Sequence, residues 1–365
     1  MLVLKQFKLF LTDLPSPVNL NSMYNFGSML GLVYVVQMVT GLLLSLFYFV
    51  DLSGGYESVV LIMKDLSYGW VVRFMHSFGA SVMFICVYLH ILRGCLYSGV
   101  KMQVVWLTGV FIMMVLMGIA FMGYVLPWGQ MSYWGMTVVT SMLGAFPLVG
   151  GLITGVLWGS YTAGVVSLSR FFSLHYVLSF VMGGLIALHL LVLHNKGSSN
   201  PLGVFSGGDK ILFSPSYSFK DSLGFLVVLF LYFLGVFYLA YTLMDETNFE
   251  EVNFMSTPVH IKPEWYFLFA YCILRAVESK LGGVILMLMA VGVLAVFGCV
   301  SVRCSGSLVV YGINKILIMV WVVSFVMLVY LGGLGVEYPY SGLSVVFTLA
   351  YFTCILMLSL VGWLL

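Results

Sequence analysis

Four of the six histidines form two pairs with one spacing: His76 with His90, and His175 with His189, each 14 residues apart. On an α-helix 14 residues make about 3.9 turns, so both rings of a pair lie near one face, about 21 Å apart along the axis. That places one imidazole towards each side of a hydrocarbon core about 30 Å thick. Ionisable residues at that depth are costly and take partners. If the two helices run in the same direction, His76 is level with His175 and His90 with His189. Two imidazoles facing each other across a bundle can be the axial ligands of a haem iron. Four merely hydrogen-bonded histidines, or a proton path, would not require the spacing to recur. A zinc site lacks a third and fourth ligand.

Glycine repeats the arithmetic. Gly27 and Gly41, and Gly109 and Gly123, are also 14 apart. Small residues at those levels leave room for a flat cofactor, although membrane helices use glycine for contacts in any case. Cations stand where haem propionates would lie: Arg73 and Arg170 just before His76 and His175, and Arg93 just after His90. A guanidinium–carboxylate pair would explain each; a snorkelling interfacial arginine is the plainer alternative. The six cysteines show no CxxC or CxxCH spacing and read as small buried hydrophobes, so any haem is non-covalent.

The elements that must position these groups are membrane helices. The 365 residues are 62% hydrophobic and 8% charged, with a net charge of +2 and a mean hydropathy of +1.11. This excludes a water-soluble domain, a disordered chain and a nucleic-acid binder. The apolar runs are continuous rather than alternating, so the spans are helices and not barrel strands. The expected fold is all-α: a polytopic membrane protein with eight spans near 26–49, 70–97, 104–126, 171–194, 222–243, 281–300, 309–331 and 342–364. Residues 1–215 form a four-helix dihaem bundle with a surface loop at 127–170. Residues 216–365 form a second four-helix region with a loop at 244–280. The first residues, through about 17, read as mature sequence lying along the interface rather than as a signal peptide.

The stretch 131–158 is apolar enough to be a ninth span, but Pro147 and Gly150-Gly151 break it. Charge argues against a crossing there. With eight spans, nine basic and three acidic residues fall on the side of the N-terminus, and six basic and ten acidic on the other. A ninth span would erase the bias in basic residues. The positive-inside rule therefore favours eight.

The histidine pairs, GYVLPWGQMSYWG at 123–135, HIKPEWYFLFAYCILR at 260–275, NFGSMLG at 25–31 and HLLVLH at 189–194 resemble cytochrome b of the respiratory cytochrome bc1 complex. The resemblance runs from about residue 20 to 340. One chain carrying all eight helices, and 14 rather than 15 residues between His175 and His189, resemble the respiratory rather than the photosynthetic type. The resemblance implies a quinol–cytochrome c oxidoreductase subunit working by a Q cycle. His76 and His175 would hold the low-potential haem on the acidic, P side, and His90 and His189 the high-potential haem on the N side. Quinol would be oxidised near Phe121, Tyr124, Gly135, Pro263, Glu264, Phe267 and Tyr271, with Glu264 taking a proton and Tyr266 helping to orient the reacting groups. Quinone would be reduced near Ser28, Gly31, His194, Lys220 and Asp221, with His194 and Asp221 supplying protons.

The implied cofactors are two haem b groups, with ubiquinol and ubiquinone as substrates. The implied partners are a Rieske iron–sulfur protein, cytochrome c1, other complex III subunits, membrane lipid and a second copy of the complex. The implied location is the mitochondrial inner membrane, with a bacterial plasma membrane as the alternative. Departures from the family pattern are Asn195 and Ser199 in NKGSSNP, AVESK after the PEWY helix, a short 301–311 connection and a C-terminus close to the last span. Two other readings compete. A transporter with a histidine proton path would carry no haem colour, and a dihaem anchor would leave PEWYF without a role.

Overall fold

The computed structural model describes residues 12–51, 55–97, 99–300 and 306–364. The interfacial reading of residues 1–11, and the placements of Lys5, Lys8, Arg303 and Cys304, lie outside the described residues. Twelve α-helices follow in order: α1 Phe26–Ser45, α2 Tyr56–Lys64, α3 Gly69–Leu96, α4 Gln103–Val125, α5 Gln130–Met142, α6 Gly150–Trp158, α7 Val165–Lys196, α8 Ser216–Tyr238, α9 Leu268–Arg275, α10 Lys280–Val300, α11 Gly312–Gly332 and α12 Tyr340–Leu364. A two-stranded antiparallel ribbon pairs Pro15–Pro17 with Lys210–Leu212. Eight helices are long and apolar enough to span a membrane: α1, α3, α4, α7, α8, α10, α11 and α12. These are the eight expected from the sequence. In a bilayer every backbone polar group must be satisfied within the chain, so long apolar runs become helices.

The ambiguous 131–158 stretch does not cross. It folds into α5 and α6, of 13 and 9 residues, about 20 and 14 Å long and so shorter than the hydrocarbon core. The bend at Pro147 and Leu148 (φ 66°) folds one onto the other, and Trp158 Nε1 donates to Thr140 Oγ1 at 2.8 Å.

In the N-terminal half α1 packs antiparallel on α3, and α4 on α7. The extensive backbone contacts among these four helices fall within each pair, and a cavity lies between the pairs. The fifth span, α8, packs on α1 and α3, so its packing follows the first half although the sequence division puts it in the second. The short helix α9 is wedged among α10, α11 and α12. That wedge depends on glycine: a Cβ on Gly332 would stand 2.3 Å from the Leu268 carbonyl oxygen. The two halves are stitched by Tyr88 of α3, whose hydroxyl donates to the Tyr266 carbonyl at 2.6 Å, and by Trp265 Nε1 donating to Ser81 at 3.1 Å. Phe84 and Tyr266 stack face to face at 4.2 Å across the same seam.

Replacing Gly332 by Val should lower the thermal midpoint in detergent through overpacking of about 1–3 kcal/mol. Gly342→Val should not, because a Cβ there meets nothing within 4 Å.

Candidate functional site

The helix pairing brings the histidines into register. The ring centroids of His76 and His175 are 6.2 Å apart with planes at 79°. That is the room one metal ion takes when an imidazole nitrogen sits about 2 Å away on each side. Each of the four glycines lies under one of the four imidazoles. A Cβ would stand 3.0 Å from His76 Cε1 at Gly41, 3.2 Å from His90 Cε1 at Gly27, 3.3 Å from His189 Cε1 at Gly109 and 2.6 Å from His175 Cε1 at Gly123. The glycines therefore admit the edges of the histidine rings, where the sequence reading had them clearing space for the cofactor plane.

The second ring nitrogens are committed. Thr40 Oγ1 spends its proton on the Val36 carbonyl at 2.8 Å and lies 3.0 Å from His76 Nδ1, so it accepts from that nitrogen. Thr108 Oγ1 does the same for His189, donating to Val104 at 2.9 Å and lying 2.8 Å from Nδ1. His175 Nδ1 donates to the Ile119 carbonyl at 2.7 Å. A proton held on Nδ1 leaves the lone pair of Nε2 for a metal. His90 differs: Arg93 Nη2 lies 3.4 Å from its Nδ1, and the Arg93 guanidinium sits 4.7 Å above the Tyr24 ring. The threonines were not singled out from the sequence, although a signal exists. A Thr-Gly dipeptide, Thr40-Gly41 and Thr108-Gly109, recurs on both helices that face the histidine pairs.

A cavity of about 800 Å³ surrounds the first pair, lined by Gly41, His76, Gly123 and His175, and also by Arg73, Tyr124, Glu264 and Tyr266. Its size and largely apolar walls suit a bound organic group. Among the described residues no cluster of three or more metal-ligating side chains occurs, so a metal here would have to bring its own equatorial ligands, as a porphyrin does.

A second, much smaller cleft of about 20 Å³ is lined by Phe121, Tyr124, Gly135, Pro263, Glu264 and Tyr271. Glu264 and Tyr124 form part of both walls and are hydrogen-bond partners. Burial pushes Glu264 up to about 8, against the downward pull of its hydrogen bonds to Tyr124 and to backbone. Glu264 holds the N-cap position of the 3₁₀ turn Trp265–Phe267 through its carbonyl, which accepts the Phe267 N–H at 2.8 Å, and leaves its side chain for the cleft; the Tyr271 hydroxyl donates to the Ile261 carbonyl at 3.0 Å.

Two expected site residues lie elsewhere. Arg170 is exposed and donates to the Val156 carbonyl near the C-terminus of α6, where its charge meets the negative end of that helix. It lies outside the cavity around His175, so the propionate role expected for it has no support here. Phe267 lies outside the small cleft, packed on Phe84 and Tyr266 at ring distances of 5.7 and 4.7 Å. Its place is in the seam between the halves.

At the opposite end, Ser28 is a hydrogen-bond partner of Asp221. Asn25 Nδ2 donates to the Lys220 carbonyl at 2.7 Å, and Lys220 Nζ to the Leu20 carbonyl at 2.6 Å. These groups gather where α1 and α8 begin. A Cβ on Gly31 would meet open space. His194 lies partly buried on the last turn of α7. Ser199, one of the departures, hydrogen-bonds Tyr24 at 3.3 Å.

Residues 11–197 match the family described as Cytochrome b/b6/petB, and residues 251–352 the one described as Cytochrome b(C-terminal)/b6/petD. The chain is 52% identical over 343 residues to a cytochrome b of Leptorhynchoides thecatus, covering 94% of this chain and 92% of that one. Its fold superposes on a chain of a hyperthermophilic respiratory complex III with a TM-score of 0.93 at 26% identity, covering all of this chain and 98% of the other.

An infrared titration should find the Glu264 carboxyl protonated at pH 7 and ionised at pH 9, with a midpoint near 8. The band should be missing in Glu264→Gln. From its ordinary value of 4.5 up to about 8, the folded chain holds a proton that the unfolded chain has released. The fold therefore loses stability as pH rises through that window, and loses no more above it.

Proposed function

The chain belongs to the cytochrome b family, and on that premise we propose how its residues divide the work of the core redox subunit of a ubiquinol–cytochrome c oxidoreductase. His76 with His175, and His90 with His189, each hold a b-type haem, the first pair towards the P side. The observation that carries this reading is the 6.2 Å opposition of His76 and His175, with Nδ1 of each ring engaged and Nε2 left over. When bound, the two haems supply one-electron carriers across the membrane. The chain's own residues handle binding and protons.

Quinol oxidation releases two protons on the P side. Glu264 is suited to accept one, because a carboxyl held near 8 can take and release a proton close to working pH. Its place on both the small cleft and the larger cavity lets it receive a proton on one side and yield it on the other. Tyr124, its hydrogen-bond partner, orients the carboxyl. The cleft has room for about one water molecule, so quinol entry must move its walls.

At the other end, Asp221 and His194 offer donors for a quinone that consumes protons, beside Ser28, whose hydroxyl donates to the Asn25 carbonyl at 2.8 Å. Arg73 lines the cavity beside His76 and is the cation suited to an acidic haem edge there; Arg93 has the equivalent place beside His90.

The chain is multi-pass and part of a larger assembly. The proposed partners are a Rieske iron–sulfur protein and cytochrome c1, since one electron of each pair must leave on the P side. A dimer of the complex is proposed with them. Its proposed membrane is the mitochondrial inner membrane: identity to the Leptorhynchoides thecatus chain is 52%, against 26% to the hyperthermophilic one.

A reductive titration of the purified complex should resolve two b-type components in visible absorbance. His76→Ala should remove one and His90→Ala the other. A folded sample with no haem absorbance would overturn this reading in favour of a proton-path transporter. Glu264→Gln should lower quinol oxidation by about 10²-fold or more while both haem bands persist.

A further inference from the structure

We propose that Arg275 is a positioning residue for the quinol site, holding Glu264 in place through Tyr271 and Ile261. The inference rests on the reading of the small cleft as that site. Arg275 ends α9 and is bonded to the end of α11: Nη1 donates to the Leu334 carbonyl at 3.1 Å, and Nη2 to the carbonyls of Gly332 at 2.9 Å and Leu331 at 3.3 Å. Leu331 and Gly332 close α11 and Leu334 follows it, and the end of a helix carries its negative pole, so a cation is favoured there.

The guanidinium also lies 4.4 Å above the Tyr271 ring, one helical turn earlier on the same face. Tyr271 lines the cleft, and its hydroxyl donates to the Ile261 carbonyl at 3.0 Å. Residues 260–264 have no regular secondary structure and so no ladder to hold them. The nearby Lys262–Asp245 pair, at 3.5 Å with the lysine half exposed, contributes little. On the far side of Glu264, Trp265 and Tyr266 are tied to α3; on the side before it, the segment is anchored by a chain of contacts: the end of α11, Arg275, the Tyr271 ring, and the Ile261 carbonyl. Lysine could supply the charge but not a planar face together with a fork that reaches three carbonyls.

The test is a double-mutant cycle on the purified complex, measuring steady-state quinol oxidation with Arg275→Gln, Arg275→Lys, Tyr271→Phe and the double Arg275→Gln/Tyr271→Phe. Reduced haem spectra report assembly. Each single variant should raise KM for quinol about fivefold, the loss of one positioning hydrogen bond. Arg275→Lys should behave like Arg275→Gln, and the double variant should be no worse than the worse single one. Multiplying effects, rescue by lysine, or an unchanged KM in Tyr271→Phe would overturn the proposal. Tyr271→Phe keeps the ring beneath Arg275 and removes only the bond to Ile261, and Arg275→Lys keeps the charge, so an unchanged KM in either overturns the proposal even if Arg275→Gln fails to assemble. If Glu264→Gln leaves quinol oxidation intact, the reading of the site itself fails. If Glu264→Gln abolishes it while the cycle is multiplicative, only the role of Arg275 fails.

Discussion

An imidazole inside a membrane must give one nitrogen to the protein and keep the other open, and this requirement fixes the register of the first half. Three of the four rings meet it with an acceptor for Nδ1 supplied by a neighbouring helix: Thr40, Thr108 and the Ile119 carbonyl. The acceptor can be reached only if the opposing helix has no Cβ under the ring, so Gly41, Gly109 and Gly123 follow. Register, ring orientation and glycine placement are one constraint stated three times. A one-residue slip of α1 against α3 would rotate Thr40 away by about 100° and put a side chain where the ring of His76 lies.

The second half depends on a different device. Backbone outside helices and strands must find partners for its buried polar groups elsewhere in the protein. The segment before α9 meets this condition by borrowing partners: Tyr88 for the Tyr266 carbonyl, Tyr271 for the Ile261 carbonyl and Ser81 for the Trp265 ring. Because Tyr88 and Ser81 belong to α3, which also carries His76, Glu264 and one of the two outer imidazoles share one scaffold. Their common cavity is a consequence of that shared helix.

The eight spans, the failure of 131–158 to cross and the levels of the histidines were legible because each follows from periodicity, hydropathy or charge balance. The gathering of Phe121, Tyr124, Gly135, Pro263, Glu264 and Tyr271 came instead from the family resemblance, since no spacing rule joins residues 121 and 271. What could not be read was direction. Arg170 sits at a plausible distance from His175 in sequence, but a free carbonyl at the end of α6 is nearer and carries the right partial charge. Phe267 belongs to the PEWYF block, but consecutive residues of a 3₁₀ turn point to different sides, and its side is the seam. The packing of α8 on the first half was equally hidden, because an apolar helix in lipid has no patterned face to announce its neighbour.

The departures from the family pattern show what the fold holds constant. Ser279 stands in the AVESK stretch where a Pro-Asn-Lys turn is usual, and its hydroxyl accepts the Gly282 N–H at 3.2 Å, capping α10 as an asparagine side chain would. Ser199 replaces the expected asparagine after His194, and its hydroxyl meets Tyr24, the ring on which Arg93 rests. In both places the residue type has changed and a short polar side chain still supplies a hydrogen bond. The constraint therefore acts on the donor or acceptor at a point in space rather than on the amino acid. It acts most tightly where the alternative is an unsatisfied polar group beside a membrane, and that explains why a departure in sequence here need not be a departure in mechanism.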